Sequence, residues 1–346
     1  MGLRKWWTRT RLSNLINMAN LKTANLEIYI YTGTSGSYSD SDLKYTLQKE
    51  IISGETKIVF EFADLVKDYL TITFNNDYTS IAVWVTTIAT LLDETGVTFT
   101  YGSPVSNTYL ALDGYGYYEE EINPQGSTNA LITTNTIYLP EDTTGKLPLY
   151  AAGVGKIIID GTTTQITDNG NSNQKIQYAT IPANSSEIKV YDTDDTTLKK
   201  TITVINVCEP KFTAYKITFI NKDGAFQDLY MFKKTVESFN VTDENYQSNI
   251  IDNSTVTYNT YKSQQTRYNI NAKTKIKLNS GFMLEDANST IEELFLSKNV
   301  WIRYESKTLP VIPTTKDFTF KTSLNDKLIN HTIDFEFAFN KINNVR

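Results

Sequence analysis

One cysteine and one histidine stand among 346 residues, and these two scarcities exclude more chemistry than any motif supplies. A zinc site built on Cys and His cannot be assembled, and an intrachain disulfide has no second sulfur. A Ser-His-Asp or Cys-His mechanism would have to pass through His331 alone. Proline (8) and glycine (16) are too few for a low-complexity chain. No stretch approaches the roughly 20 apolar residues of a membrane helix. The net charge of −6 and the pI near 5.1 lack the basic surface that phosphate binding needs, so nucleic acid is excluded as the main partner.

What the chain has instead is strand chemistry. It carries 22 Tyr and 16 Phe, and Thr and Asn together come to about eighty residues. Thr, Tyr and Phe suit a pleated, half-buried surface, while Asn and Gly suit the turns between strands. Period-2 alternation recurs, the signature of strands with one buried face. Leu26, Ile28 and Ile30 alternate with Glu27, Tyr29 and Tyr31. Ile58, Phe60 and Phe62 alternate with Lys57, Val59 and Glu61, and Ile81, Val83 and Val85 with Ala82, Trp84 and Thr86. The run Ala63 to Tyr69 predicts one or two helical turns, and Gly33-Thr34-Ser35-Gly36 and Asn75-Asn76-Asp77 predict turns.

These patterns predict an all-β chain of tandem β-sandwich domains, immunoglobulin- or fibronectin-like, with one short helix near the C-terminus. The partition read from them is an arm at 1–20, a β-sandwich at 21–126, a smaller one at 127–210, and a C-terminal β-domain at 211–346. The break between the first two domains is Asn123-Pro124-Gln125-Gly126-Ser127. In the smaller domain Ile157-Ile158-Ile159 ends at the hairpin dipeptide Asp160-Gly161. Ile188 and Val190 lead through an acidic tip, Asp192 to Thr197, back to Ile202 and Val204.

In the last domain Tyr215, Ile217 and Phe219 precede the turn Asn221-Lys222-Asp223-Gly224, and Phe226, Tyr230 and Phe232 follow it. Ile291, Leu294 and Phe295 have helical spacing, with Asn288 or Ser289 as cap and Glu292 and Glu293 in the first turn. Ile333, Phe335, Phe337 and Phe339 alternate in a final strand. Burying that face is worth several kcal/mol, at about 1.5–3 per side chain.

The first seventeen residues differ from the rest. Arg4, Lys5, Arg9 and Arg11 flank Trp6 and Trp7, and the apolar Leu12, Leu15 and Ile16 are too interrupted for a secretory signal. Two readings stay open: a basic aromatic arm that docks on a neighbouring subunit, or an extension upstream of a start at Met18.

The candidate sites are few. Asp113-Gly114-Tyr115-Gly116-Tyr117-Tyr118, followed by Glu119 to Glu121, offers tyrosines beside carboxylates, which suit sugar stacking and hydrogen bonding. The same run also reads as a Gly-rich turn leading into a strand at an interface. Asp192, Asp194 and Asp195 lack the twelve-residue calcium-loop pattern and read as a solvated tip. Gly153-Val154-Gly155-Lys156 lacks the P-loop spacing and leads into a strand. His331 reads as structural, and Cys208 as a small buried hydrophobe. Carboxylates are plentiful, but no spacing isolates the pair that a β-sandwich hydrolase would need. No cofactor, metal or catalytic residue is expected.

Tyr215 to Phe226, the helix ending in Leu296-Ser297-Lys298-Asn299-Val300, Trp301, and Leu309-Pro310-Val311-Ile312-Pro313 follow one another in a distinctive order. With Phe60-Glu61-Phe62, Leu65 to Tyr69 and the Tyr115 segment, this order resembles structural proteins of tailed bacteriophages that infect Bacteroidetes-type bacteria. The resemblance implies a non-enzymatic virion component of the tail, tail tip, baseplate or neck. It would be made in the host bacterial cytoplasm and would assemble as a ring-type homo-oligomer with other virion proteins. An alternative is a receptor-binding adhesin in which Tyr115, Tyr117 and Tyr118 contact host glycans. For assembly, Arg4, Trp6, Trp7 and Arg9 are the expected contacts of the arm. No membrane insertion is expected.

Overall fold

The computed structural model of the chain describes residues 10–11, 21–52, 58–98, 104–120, 129–251, 257–317, 319 and 328–342. Arg4, Trp6, Trp7, Arg9 and the break at 123–127 lie outside the described residues. The architecture is all-β, with strands in several sheets and two short α-helices among the described residues, Ala63–Lys67 and Ala287–Leu296.

Contacts gather the chain into two compact units. The first holds residues 1–208, 218–229 and 286–298, and the second holds 209–217, 230–285 and 299–346. The chain therefore passes between units inside the strands Tyr215–Ile220 and Phe226–Met231.

In the first unit, Leu21–Tyr31 and Val83–Asp93 pair antiparallel at the centre of a four-stranded sheet, flanked by Leu43–Glu50 and Val105–Ala111. The alternation at 26–31 predicts Tyr29 and Tyr31 on an outer face, yet both are buried together with Leu26, Ile28 and Ile30. The same holds at 81–85, where Ala82 and Trp84 are as buried as Ile81, Val83 and Val85. The reason is a shared cluster. Tyr29, Tyr31 and Trp84 pack with Leu131, Tyr150 and Ile176, so the second face of the N-terminal sheet is covered by later chain. Trp84 also satisfies its indole N–H on the Gly33 carbonyl at 3.0 Å.

The smaller β-region follows its turn chemistry. Asp160 (φ 46°) and Gly161 (φ 86°) both occupy the left-handed region between Lys156–Ile159 and Thr162–Gln165, as a tight two-residue hairpin requires. The helix at Ala63–Lys67 and the positive φ of Gly33, Gly36 and Asn76 agree with the sequence reading.

Among the described residues, five strands lie wholly within the second unit. They run in the order Val300–Tyr304, Lys307–Pro313, Leu328–Phe337, Gln265–Leu284 and Val236–Gln247. Ile333, Phe335 and Phe337 are buried as the alternation predicts, but Phe339 lies past the strand end and is 42% exposed. Three further expectations need correction. The predicted strand over 57–62 is a ladder of only Val59–Phe60, although Ile58, Phe60 and Phe62 are buried. Cys208 is exposed, because it sits beyond the end of Leu198–Val207 rather than on an inward-facing position. The helix begins at Ala287 after Asp286, one to two residues before the predicted caps, and Ser289 donates its hydroxyl to the Asp286 carbonyl instead.

Candidate functional site

The most chemically dense region of the first unit forms around the turn Asn221 to Gly224. Gly224 has φ +75°, and a Cβ there would meet the Asp113 backbone and the Leu112 side chain at 3.0 Å. This close approach brings the tyrosine segment onto the turn: the Tyr115 N–H donates to the Lys222 carbonyl at 3.0 Å. The segment does not continue as a strand. It runs irregularly to a single 3-10 turn at Tyr118–Glu120.

The three tyrosines therefore differ. Tyr115 and Tyr117 are partly buried, with rings edge to face at 6.0 Å. Lys222 lies over the Tyr117 ring at 4.6 Å and is paired with Glu120 at 2.6 Å. Burial pushes the Tyr117 hydroxyl up to about 12, with Glu292 and Glu293 adding to it. Burial and the same glutamates hold Tyr115 still further above the usual phenol range. Both stay protonated at neutral pH. Tyr118 is fully exposed at 100%, so only its ring is open on both faces.

Beneath the turn lies a polar network that the sequence did not single out. Asn221 is fully buried. Its amide donates to the Leu131 carbonyl at 2.6 Å and to Gln227 Oε1 at 2.9 Å, and its oxygen accepts from the Asp223 and Ala225 amides at 3.1 Å each. Glu293 is 1% exposed and lies in the second turn of Ala287–Leu296, a correction to the first-turn position read from the sequence, because the helix starts earlier than the caps predict. It accepts the Thr133 hydroxyl and, at 3.3 Å, the Lys222 N–H. Burial pushes its carboxyl up, and those two hydrogen bonds pull against that shift. Asp286 accepts the Thr134 hydroxyl and the Asn135 N–H, the latter at 2.7 Å. Lys200 Nζ donates to the Ile132 and Thr133 carbonyls at 2.6 and 3.2 Å. The 131–135 segment is thus held by four buried or half-buried polar side chains, Asn221, Asp286 and Lys200 through its backbone and Glu293 through the Thr133 hydroxyl. Such a network fixes a geometry.

A small cleft beside it, lined by Thr134, Thr136, Lys146, Gln227, Asp228 and Thr290 among others, has a cavity volume of about 30 Å³. That holds about two waters, against the roughly 300–1,000 Å³ of a ligand pocket. The other candidates are similarly accounted for. In the acidic tip Asp194 accepts the Thr196 and Thr197 amides at 2.9 and 2.8 Å and Lys199 pairs with Asp192 at 2.7 Å, while Asp195 Oδ1 is buried without a hydrogen-bond partner among the described residues. The Thr197 hydroxyl and the two amides hold the Asp194 carboxyl well below the usual range. Among the described residues, no three His, Cys, Asp or Glu side chains gather to hold a metal. Gly155 is followed by the strand Lys156–Ile159. A Cβ at Gly155 would lie 2.3 Å from Asp195 Oδ1, so this glycine seats the acidic tip. His331 is buried within the final strand, its N–H donating to Ser280 Oγ at 3.0 Å. No helix among the described residues is long and apolar enough to cross a membrane.

The second unit carries a different feature. Among the described residues Val236–Gln247 pairs only with Gln265–Leu284, as a ribbon whose first strand is exposed at every one of its 12 residues. Pairing of Gln265–Leu284 with Leu328–Phe337 starts only at Lys275. The ribbon exposes Val236, Phe239, Val241, Tyr246, Tyr268 and Ile270, with Phe239 at 67%. Tyr246 and Tyr268 contact one another at 5.8 Å. No sequence motif marked it, since its strands show no clean alternation.

No family model matches the chain, and neither a curated protein nor a solved structure matches it.

Proposed function

We propose that the chain is a non-enzymatic structural protein of a tailed-phage virion, a component of the tail or tail tip that assembles with itself and with neighbouring virion proteins. The observation that carries the assembling role is the exposed apolar ribbon of the second unit. A two-stranded ribbon is marginal in water by itself, and an open edge with large apolar side chains invites pairing. Burying each such side chain is worth about 1.5–3 kcal/mol, a gain that only a partner surface supplies. The polar network around Asn221 supports the non-enzymatic part of the reading: its groups are spent on one another and on backbone. The virion and tail assignment comes from the resemblance of the Tyr215–Phe226 and Leu309–Pro313 segments.

Native mass spectrometry of the purified chain over a concentration series tests the assembling role. A discrete ring-type oligomer is expected, and a monomer at every concentration refutes it. Mass spectrometry of purified particles tests the virion assignment, and the polypeptide's absence from them refutes that. The adhesin reading narrows to Tyr118, the one tyrosine of its segment whose ring is not covered.

A further inference from the structure

Among the described residues the ribbon has two open edges, and they differ in charge. On one side, Val236–Gln247 ends the sheet with no further strand beside it among the described residues. On the other, the Lys341 N–H donates to the Ala272 carbonyl at 2.7 Å, which leaves Gln265 to Ile270 as open strand. Val236–Gln247 carries Glu237, Asp243 and Glu244 and no basic residue. Gln265–Leu284 carries Arg267, Lys273, Lys275 and Lys277 and no acidic residue. Each basic residue is paired within the chain: Arg267 with Asp243 at 2.8 Å, Lys273 and Lys275 with Glu336 at 2.9 and 3.8 Å, and Lys277 with Asp334 at 3.4 Å, while Glu237 accepts the Tyr304 hydroxyl at 3.0 Å. Arg267 and Lys273 still keep about half of their side-chain surface, 53% and 51%.

We infer that these edges form a head-to-tail interface between copies of this chain, the outer edge of Val236–Gln247 in one copy pairing with the Gln265–Ile270 edge of the next. The inference rests on the self-assembling reading above and names its surface. A second copy is the occupant because one ribbon presents both halves of the match. An acidic strand edge set against another acidic edge would place like charges opposite each other, which is destabilising, whereas against Gln265–Ile270, whose one charged residue is Arg267, it meets opposite charge. Phe239, Val241, Tyr246, Tyr268 and Ile270 supply the apolar area along the same two strands. A contact between two different edges is heterologous, so it propagates into a closed ring or a filament rather than stopping at a dimer.

The test uses the full chain. The double variant Phe239→Lys/Val241→Lys changes only exposed side chains, so its circular dichroism and melting curve should match the wild type. It should run as a monomer at concentrations where the wild type is fully assembled. In parallel, a photo-cross-linking amino acid at Asn240 in unlabelled chain, mixed with ¹⁵N-labelled chain, reports the neighbour. Cross-links from Asn240 to the labelled 265–270 segment are expected. Cross-links to the labelled 236–247 segment would mean a symmetric dimer and overturn the head-to-tail geometry. An oligomer that persists in the double variant, or inter-copy cross-links elsewhere, would overturn the ribbon while leaving self-assembly standing. A wild-type monomer at all concentrations would overturn both.

Discussion

Asn221 donates to the Leu131 carbonyl at 2.6 Å across ninety positions of sequence, from a fully buried side chain whose oxygen caps the turn it belongs to. One amide thus joins the hairpin turn of 221–224 to the 131–135 backbone. Asn221→Leu fills similar volume but leaves the Leu131 carbonyl and the Asp223 and Ala225 amides without this partner. A loss of about 3 kcal/mol is expected, since each buried unsatisfied group costs about 1–3 kcal/mol. The fall in urea midpoint measures it; a change under 0.5 kcal/mol, the ordinary surface value of about that size, would show that water replaces the side chain.

Two glycines separate conformational strain from close packing. Gly161 and Gly224 both have positive φ, +86° and +75°. A Cβ at Gly161 meets nothing within 4 Å, whereas one at Gly224 meets the Asp113 backbone at 3.0 Å. Gly161→Ala should cost about 1 kcal/mol. Gly224→Ala should cost about 2–4 kcal/mol, because backbone cannot move aside as a side-chain tip can. Equal losses in chemical denaturation would mean that the turn and the tyrosine segment separate freely.

Glu293 makes stability depend on pH with a definite sign. Burial raises its folded value above the ordinary 4.5, against the pull of Thr133 and the Lys222 amide, with Asp223 adding to the rise. The folded state therefore binds this proton more tightly than the unfolded state. The stability it contributes is complete below pH 4.5 and is lost as pH rises through the folded value. Glu293→Gln cannot ionise, and Gln can still accept the Lys222 N–H and donate to Thr133. The variant should gain on the wild type in urea midpoints as pH rises above 4.5 through the folded value. Parallel curves for the two proteins would assign the pH dependence elsewhere.

Tyr118 is the sharpest test of the adhesin alternative. Tyr118→Ala removes a fully exposed ring and should leave the melting temperature within about 1 °C of wild type, as for surface changes in general. Tyr115→Ala and Tyr117→Ala remove partly buried rings, one of them beneath Lys222, and should lower it. Adsorption to host cells is expected to survive Tyr118→Ala. Its loss with folding intact would favour glycan contact over assembly.

Much of the local structure was legible because it follows from short-range chemistry. The Asp160-Gly161 hairpin, the turn at 221–224, the Ala63–Lys67 helix and the buried Ile333, Phe335 and Phe337 all follow from neighbouring residues alone. Cap position, the exposure of Cys208 and the end of the final strand before Phe339 were not, since each depends on where a neighbouring strand stops. The burial of Tyr29, Tyr31 and Trp84 on the second face of their sheet escaped the alternation rule for the same reason: later chain covers that face.

By itself the sequence determined the all-β class, the turn positions and the exclusion of Cys–His metal sites and disulfides, because pattern, turn residues and residue counts are local or global properties that need no coordinates. Tertiary structure alone decided which polar groups meet. Glu293 reads from spacing as a first-turn acid, yet it lies in the second turn, buried against Thr133 and the Lys222 amide. Tyr117 looks like an open sugar platform, yet Lys222 caps its ring. The ribbon of 236–247 and 265–274 has ordinary composition, and only the order of strands in its sheet shows that its edges are open. Burial and edge exposure arise from contacts far apart in sequence, and no spacing rule encodes them.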